Sequence, residues 1–212
     1  MVIRILGIVM GVEAALLLFP FVVGLIYQEA CTVYFAYTSI FCFVLYLISS
    51  RVPIKNKTIY AKDGLVIVSL AWVLMSLVGA IPLVLTNATP TYIDAFFEIV
   101  SGFTTTGSSV IVDVEAIARC ATFWRCFSHW IGGMGVLVFI LSIVKMQGND
   151  HNMHIMRAES PGPSVGKLVP KIRITAKLLY QIYFFMTIAT MGFLLIGGMP
   201  VFDTICMSLG AA

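Results

Sequence analysis

Five apolar runs, at residues 5–27, 32–50, 64–86, 122–145 and 178–199, are each long enough to cross a hydrocarbon layer roughly 30 Å thick. Few folds are open to such a chain. Hydrocarbon offers no water to the backbone, so a run of this length satisfies its own N–H and C=O groups as a helix. The composition agrees: of 212 residues, 60% are hydrophobic and 11% charged, where a soluble domain carries about a quarter charged residues. The expectation is an all-α integral membrane protein with five transmembrane helices. The first run is longer than the apolar core of a signal peptide and lacks a small-residue cleavage site, so it is read as a membrane helix. A net charge of +3 gives no support to a nucleic-acid partner. The five cysteines, Cys31, Cys42, Cys120, Cys126 and Cys206, include no CxxC pair and read as small buried hydrophobes rather than a disulfide framework.

Lysine and arginine set the orientation, because basic loops stay cytoplasmic. Arg51, Lys55, Lys57 and Lys62 follow the second run, and Lys145, Arg157, Lys167, Lys171, Arg173 and Lys177 follow the fourth. With Arg4, this puts 11 of the 13 basic residues inside if the N-terminus is cytoplasmic. The turn "QEA" and the acids Asp94, Glu98, Asp113 and Glu115 then face outward. The second basic linker, with Pro161, Gly162, Pro163 and Pro170, reads as a loop, either an ordinary positive-inside loop or, on the sharper reading, a docking surface for a soluble partner.

Between the third and fourth runs lies "TYIDAFFEIVSG", residues 91–102, which is helix-like but too short to cross. Thr91 can cap it, with Asp94 three residues on, and its C-terminal end then points partial negative charge into the membrane. "SGFTTTGSS" follows, at residues 101–109. Irregular backbone at this depth is tolerated only where protein buries it or where it lines a watery path. Thr104, Thr105 and Thr106 are β-branched and favour extended backbone, while Gly107 can adopt dihedrals closed to other residues. An extended strand that turns its carbonyls to one side is how a potassium filter replaces the ion's hydration shell. The segment therefore reads as a re-entrant pore helix and filter loop.

The fourth run opens with "FWRCFSHWIGGMGVLVFI", where Gly132, Gly133 and Gly135 allow close backbone approach to the hairpin, and Trp124 and Trp130 suit an interface or a wall behind the filter. His129 reads as a satisfied interfacial histidine. Glu13, inside the first run, is costly there and reads as paired or protonated within the bundle. His151 and His154 have metal-like spacing without a third ligand, so no metal site other than one for K+ is expected. No nucleophile and base accompany His129 or Glu98, and an enzyme is not expected.

"YIDAFFEIVSGF" at 92–103 and "VFDTICMSLGAA" at 201–212 form a repeat: both are short, both follow a long run, and both carry Asp at the third position. These features, the "HWIGGMGVLVFILSI" helix and above all "MRAESPGPSVGKLVPKIRITAKLLYQIY" resemble the Trk-type potassium-uptake proteins, the TrkH/TrkG membrane subunits of the Trk/Ktr/HKT superfamily. The resemblance covers nearly the whole chain. It implies four repeats of helix, pore loop and helix around one ion path, preceded by two extra helices. Residues 1–50 would be the extra hairpin, 51–147 the first repeat, 148–177 a cytoplasmic linker, and 178–212 an incomplete second repeat ending at the start of its pore helix. It also implies K+ bound by backbone carbonyls of Thr104, Thr105, Thr106 and Gly107, no organic cofactor, a homodimer, and a TrkA-type cytoplasmic nucleotide-binding regulatory subunit. The location implied is the bacterial plasma (inner) membrane, with uptake either as symport or driven by the membrane potential. Three further filter strands have no counterpart here, so the chain is expected to be the N-terminal part of a longer transporter. The alternative is a non-conducting truncated or regulatory membrane subunit.

Overall fold

A computed structural model describes residues 2–52, 61–133, 135 and 172–211, and among them every regular element is an α-helix. The helices are α1 (Val2–Leu16), α2 (Leu18–Ile26), α3 (Thr32–Ser50), α4 (Ala61–Gly79), α5 (Ile81–Leu85), α6 (Tyr92–Phe103), α7 (Arg119–Gly133), α8 (Ile172–Ile196) and α9 (Val201–Ala211). Most of the basic linkers, including Lys55 and Lys57 and the pair His151 and His154, lies outside the described residues.

Among the described residues, four spans are able by length and composition to cross a membrane: Val2–Ile26, Thr32–Ser50, Val66–Leu85 and Lys177–Ile196. Of the fifth expected span, 122–145, the described part is α7, which begins three residues early and ends at Gly133. Gly135 then sits at φ +67 and returns its N–H to the Gly132 carbonyl at 2.9 Å. Residues 136–145 lie outside the described set.

Two of the runs are also interrupted, each next to a proline. Pro20 has no N–H for the Leu16 carbonyl, yet the bonds Leu17 N–H to Glu13 O (2.9 Å) and Phe21 N–H to Leu17 O (3.3 Å) carry α1 into α2 as one span. Pro82 acts similarly between α4 and α5, where the Leu83 N–H turns to Ala80 O at 3.1 Å. The Gly79 carbonyl left free there accepts the Trp124 indole N–H at 2.9 Å. A proline-made vacancy is thus filled by a side chain from α7.

The first hairpin packs α1 against α3. Its closeness depends on small residues: a Cβ added at Gly7 would lie 1.5 Å from Ser49 Oγ, and one at Gly11 would lie 3.1 Å from the Tyr46 ring. Ser39 Oγ donates across the pair to Ala14 O at 2.7 Å. Gly7 and Gly11 sit one turn apart, the spacing that lets helix backbones approach in lipid. α4 and α6 lie beside α1 and α7, and Trp124, Phe35, Phe103, Leu17, Met75 and Ile99 are fully buried.

One end of the bundle gathers the turn after α2, the start of α7 and the start of α9. Glu29 accepts the backbone N–H groups of Arg119 (2.7 Å) and Cys120 (3.0 Å), capping α7 from the turn. The Arg119 guanidinium lies 4.2 Å from the centre of the Tyr27 ring and 5.7 Å from that of Phe202. α6 and α9 are the two halves of the expected repeat, at 12 and 11 residues, each with its Asp in the first turn.

Replacing Gly7 by Val drives α1 off α3, and the expected loss is about 1–3 kcal/mol. Thermal unfolding of the detergent-purified protein reads this as a lowered midpoint. Ser49→Gly in the same chain should restore part of it, and no recovery would show that the two helices do not meet there.

Candidate functional site

α6 begins where its sequence says it should. Thr91 is extended, at φ −127 and ψ 160, and its hydroxyl oxygen accepts the Asp94 N–H at 3.2 Å. Ala95, Glu98, Ile99, Gly102 and Phe103 form a stripe of helical period and are buried. Phe103 meets Trp72 at 5.8 Å and Trp124 edge-on at 6.2 Å between ring centres. Trp124 therefore forms the wall behind the hairpin, one of the two roles anticipated for it. Trp130 serves elsewhere, donating to Thr187 Oγ1 of α8 at 3.0 Å.

The helix ends in a tight left-handed cap. The Thr105 N–H bonds to Gly102 O and the Thr106 N–H to Ser101 O, both at 2.9 Å, with Thr105 at φ 55. This is the paired arrangement that closes a helix by turning its last donors back on its own carbonyls. It corrects the expectation of an extended backbone from Thr104 onward: Thr104 stands at φ −87, ψ 2, and Thr105 is left-handed. A β-branched residue there costs roughly 1–2 kcal/mol. Local hydroxyl bonds compensate. Thr104 Oγ1 donates to Val100 O at 2.7 Å and shares a 2.8 Å bond with Thr106 Oγ1, while Thr105 Oγ1 donates to Thr104 O at 2.7 Å.

From Thr106 the chain runs without helix to Val110, and Gly107 takes φ +76, the left-handed region that favours glycine. A Cβ placed on Gly107 would touch nothing within 4 Å, so glycine is needed there for backbone conformation and not for space. Thr104, Thr105, Thr106 and Gly107 are all exposed. Among the described residues nothing donates to the carbonyls of Thr105, Thr106 and Gly107.

Behind this loop the returning chain is held by one buried acid. Glu98 is 0% exposed, and its Oε2 accepts the Val110 N–H at 3.0 Å and the Ser109 hydroxyl at 3.2 Å. Its Oε1 pairs with Arg125 Nε of α7. Ser101 Oγ adds a bond to Ser108 O at 2.6 Å, which turns that carbonyl toward the helix. The loop is thus pinned at Ser108, Ser109 and Val110.

α7 presents Arg125, Ser128, His129 and Gly132 on one face, spaced three and four residues apart. A Cβ at Gly132 would lie 2.4 Å from Phe103 O, so the expected close approach of this glycine to the hairpin is present. Gly133 faces α8 instead, where a Cβ would stand 2.4 Å from the Tyr183 hydroxyl. His129 Nδ1 donates to Arg125 O at 2.9 Å, a satisfied histidine. Glu13 is fully buried and its carboxyl oxygens have no hydrogen-bond partner among the described residues, so the anticipated pairing is not found.

Sequence reasoning placed Glu98 among the outward-facing acids, gave Arg125 no role, and missed that they pair. The available signal was that each is a charge inside an apolar helix, which calls for a partner.

The family described as TrkH, cation transport protein, matches residues 28–201 of the chain. The Trk system potassium uptake protein TrkH of Vibrio parahaemolyticus is 35% identical over 213 residues, covering 98% of this chain and 43% of that protein. Escherichia coli TrkG, also a Trk system potassium uptake protein, is 34% identical over 193 residues, covering 88% of this chain and 39% of its own length. The crystal structure of the potassium transporter TrkH from Vibrio parahaemolyticus superposes with a TM-score of 0.77 at 31% identity, over 98% of this chain and 42% of that one. The chain therefore spans less than half the length of the curated relatives it matches.

Arg125→Met leaves the Glu98 carboxylate buried without its cation, and a loss of about 3–5 kcal/mol is expected. Glu98→Gln, which can still accept from Val110, should cost less. Both are read from thermal unfolding, and equal melting of Arg125→Met and the parent would show that the pair does not hold the hairpin.

Proposed function

Because this chain belongs to the TrkH family of cation transport proteins, we propose that it forms the N-terminal part of a potassium-uptake path, with residues 104–107 as one strand of the ion filter. The observation that carries this is a half-length helix that ends on an exposed loop whose Thr105, Thr106 and Gly107 carbonyls have no donor among the described residues. Carbonyl oxygens free of internal partners can replace water around a dehydrated cation. The C-terminal end of α6 points its partial negative charge at the same place and favours a cation there. Thr104 O already accepts the Thr105 hydroxyl and contributes a second lone pair at most.

In this reading residues 1–50 are a flanking hairpin, 51–147 the first repeat, 148–177 a cytoplasmic linker and 178–212 the start of a second repeat. Three more filter strands complete the ring in the longer protein. The end of the bundle that holds Glu29, Arg119 and Phe202 faces outward, with the basic linkers and N-terminus in the cytoplasm of a bacterial inner membrane. A homodimer and a TrkA-type nucleotide-binding subunit on the basic linkers complete the assembly. The relatives' names favour transport over a non-conducting regulatory subunit.

Gly107→Ser tests the filter in the full-length transporter, expressed in a bacterium that lacks its own potassium uptake. An added Cβ meets no atom within 4 Å at that position, so the expected effect comes from the dihedral and the carbonyl direction it sets. The expected outcome is a roughly tenfold fall in K+ over Na+ preference, equivalent to about 1.4 kcal/mol of lost discrimination. Unchanged uptake and unchanged preference would sink the assignment.

A further inference from the structure

We propose that Cys31 and Cys120 form a disulfide that staples the turn between α2 and α3 to the start of α7. The two sulfurs lie 3.6 Å apart although the residues are separated by 89 positions, so tertiary packing alone has brought them together. Disulfide geometry requires about 2.05 Å, and the remaining approach of roughly 1.5 Å is within reach of small side-chain rotations.

The surroundings already hold the two segments in register. Glu29, two residues before Cys31, accepts the N–H groups of Arg119 and of Cys120 itself at 2.7 and 3.0 Å. Arg119 reaches back over the Tyr27 ring at 4.2 Å. Glu29 and the two thiols lie within 4.8 Å of one another, a grouping that invites a metal. Both carboxylate oxygens are already engaged in capping α7, and among the described residues the set stops at three ligands where a structural zinc takes four. The disulfide requires neither a fourth ligand nor release of the cap.

Cys31 is half-buried and Cys120 is 0% exposed, which orders the chemistry. The Cys31 thiolate attacks a disulfide of an external thiol oxidant, giving a mixed disulfide and releasing one thiol of that oxidant. Cys120 Sγ then attacks Cys31 Sγ as its proton passes to the Glu29 carboxylate and on to water. The Cys31–Cys120 bond forms, the mixed disulfide breaks, and the second oxidant thiol leaves. Two protein thiols are oxidised and one external disulfide is reduced.

The inference rests on the outward orientation proposed above, since an oxidising compartment is where such a bond persists. Its consequence reaches the filter: α7 carries Arg125 and Gly132 onto α6, so fixing the start of α7 steadies the support behind residues 104–107.

The test takes membranes of cells expressing the protein, blocks free thiols with maleimide at lysis, and digests without reductant. The expected result is a linked peptide pair containing Cys31 and Cys120, lighter than the sum of its parts by two hydrogens. Dithiothreitol should lower the unfolding midpoint of the parent by several degrees and leave Cys31→Ser unmoved. Both thiols found alkylated, even after the membranes are treated with oxidised glutathione, would overturn the proposal. Thiols that react only after chelator treatment would also overturn it, in favour of a bound metal. A separate variant, Glu115→Cys in the Cys31→Ser/Cys120→Ser background, reports orientation through an impermeant maleimide on intact cells. Labelling there without the linked pair would sink the disulfide and leave the orientation standing. Labelling only after permeabilisation would overturn the orientation and the oxidising setting the staple requires.

Discussion

Every helix end leaves backbone groups without partners in the helix, and the way α6 meets that demand organises what surrounds it. The Thr105 and Thr106 N–H groups fold back onto Gly102 and Ser101, which disposes of the donors. The carbonyls beyond them stay open. An arrangement rich in unclaimed acceptors and poor in donors is suited to a cation and hostile to an anion. The strain of a left-handed Thr105 is tolerated because its neighbours' hydroxyls knit the turn from Val100 to Thr106.

The returning chain after Gly107 has no strand partner among the described residues, and Glu98 takes that part. One carboxylate accepts a backbone N–H and a hydroxyl from the loop and an arginine from α7. Its charge would be prohibitive if it stood alone. With a guanidinium beside it, the desolvation cost is offset, and a buried ion pair of this kind serves to specify one arrangement more than to add net stability. α7 must then lie tightly along α6, which Gly132 against Phe103 O permits. Loop, acid, arginine and glycine form one mechanical unit.

The supports of that unit extend outward. Trp124 closes the carbonyl that the break before Pro82 leaves open, and packs on Phe103. Glu29 caps the start of α7 from the far hairpin. α8, by contrast, has only 6% of its span buried, although Thr187 and Tyr183 hold it to Trp130. Helices α1 to α7 thus share a packed core to which α9 adds Cys206 and Leu209, while α8 lies at its side.

The sequence by itself determined the helical class, the spans at 5–27, 32–50 and 64–86, the cap at Thr91, the glycine at 107 and the half-length element repeated at 92–103 and 201–212. These are consequences of hydropathy, run length and local backbone chemistry, which act between near neighbours in the chain. The left-handed turn at Thr105 is local too, but it runs against a β-branched preference, because the cap bonds and hydroxyl network between Val100 and Thr106 outweigh that propensity. The end of α7 at Gly133 goes with a local turn as well, in which Gly135 at φ +67 returns its N–H to Gly132 O. The pairs Glu98 with Arg125, Glu29 with Arg119 and Cys31 with Cys120 join positions 27, 90 and 89 residues apart. No spacing rule reaches across such separations. What brings them together is the demand that charges and backbone ends in an apolar medium find partners, and only the packed bundle specifies which.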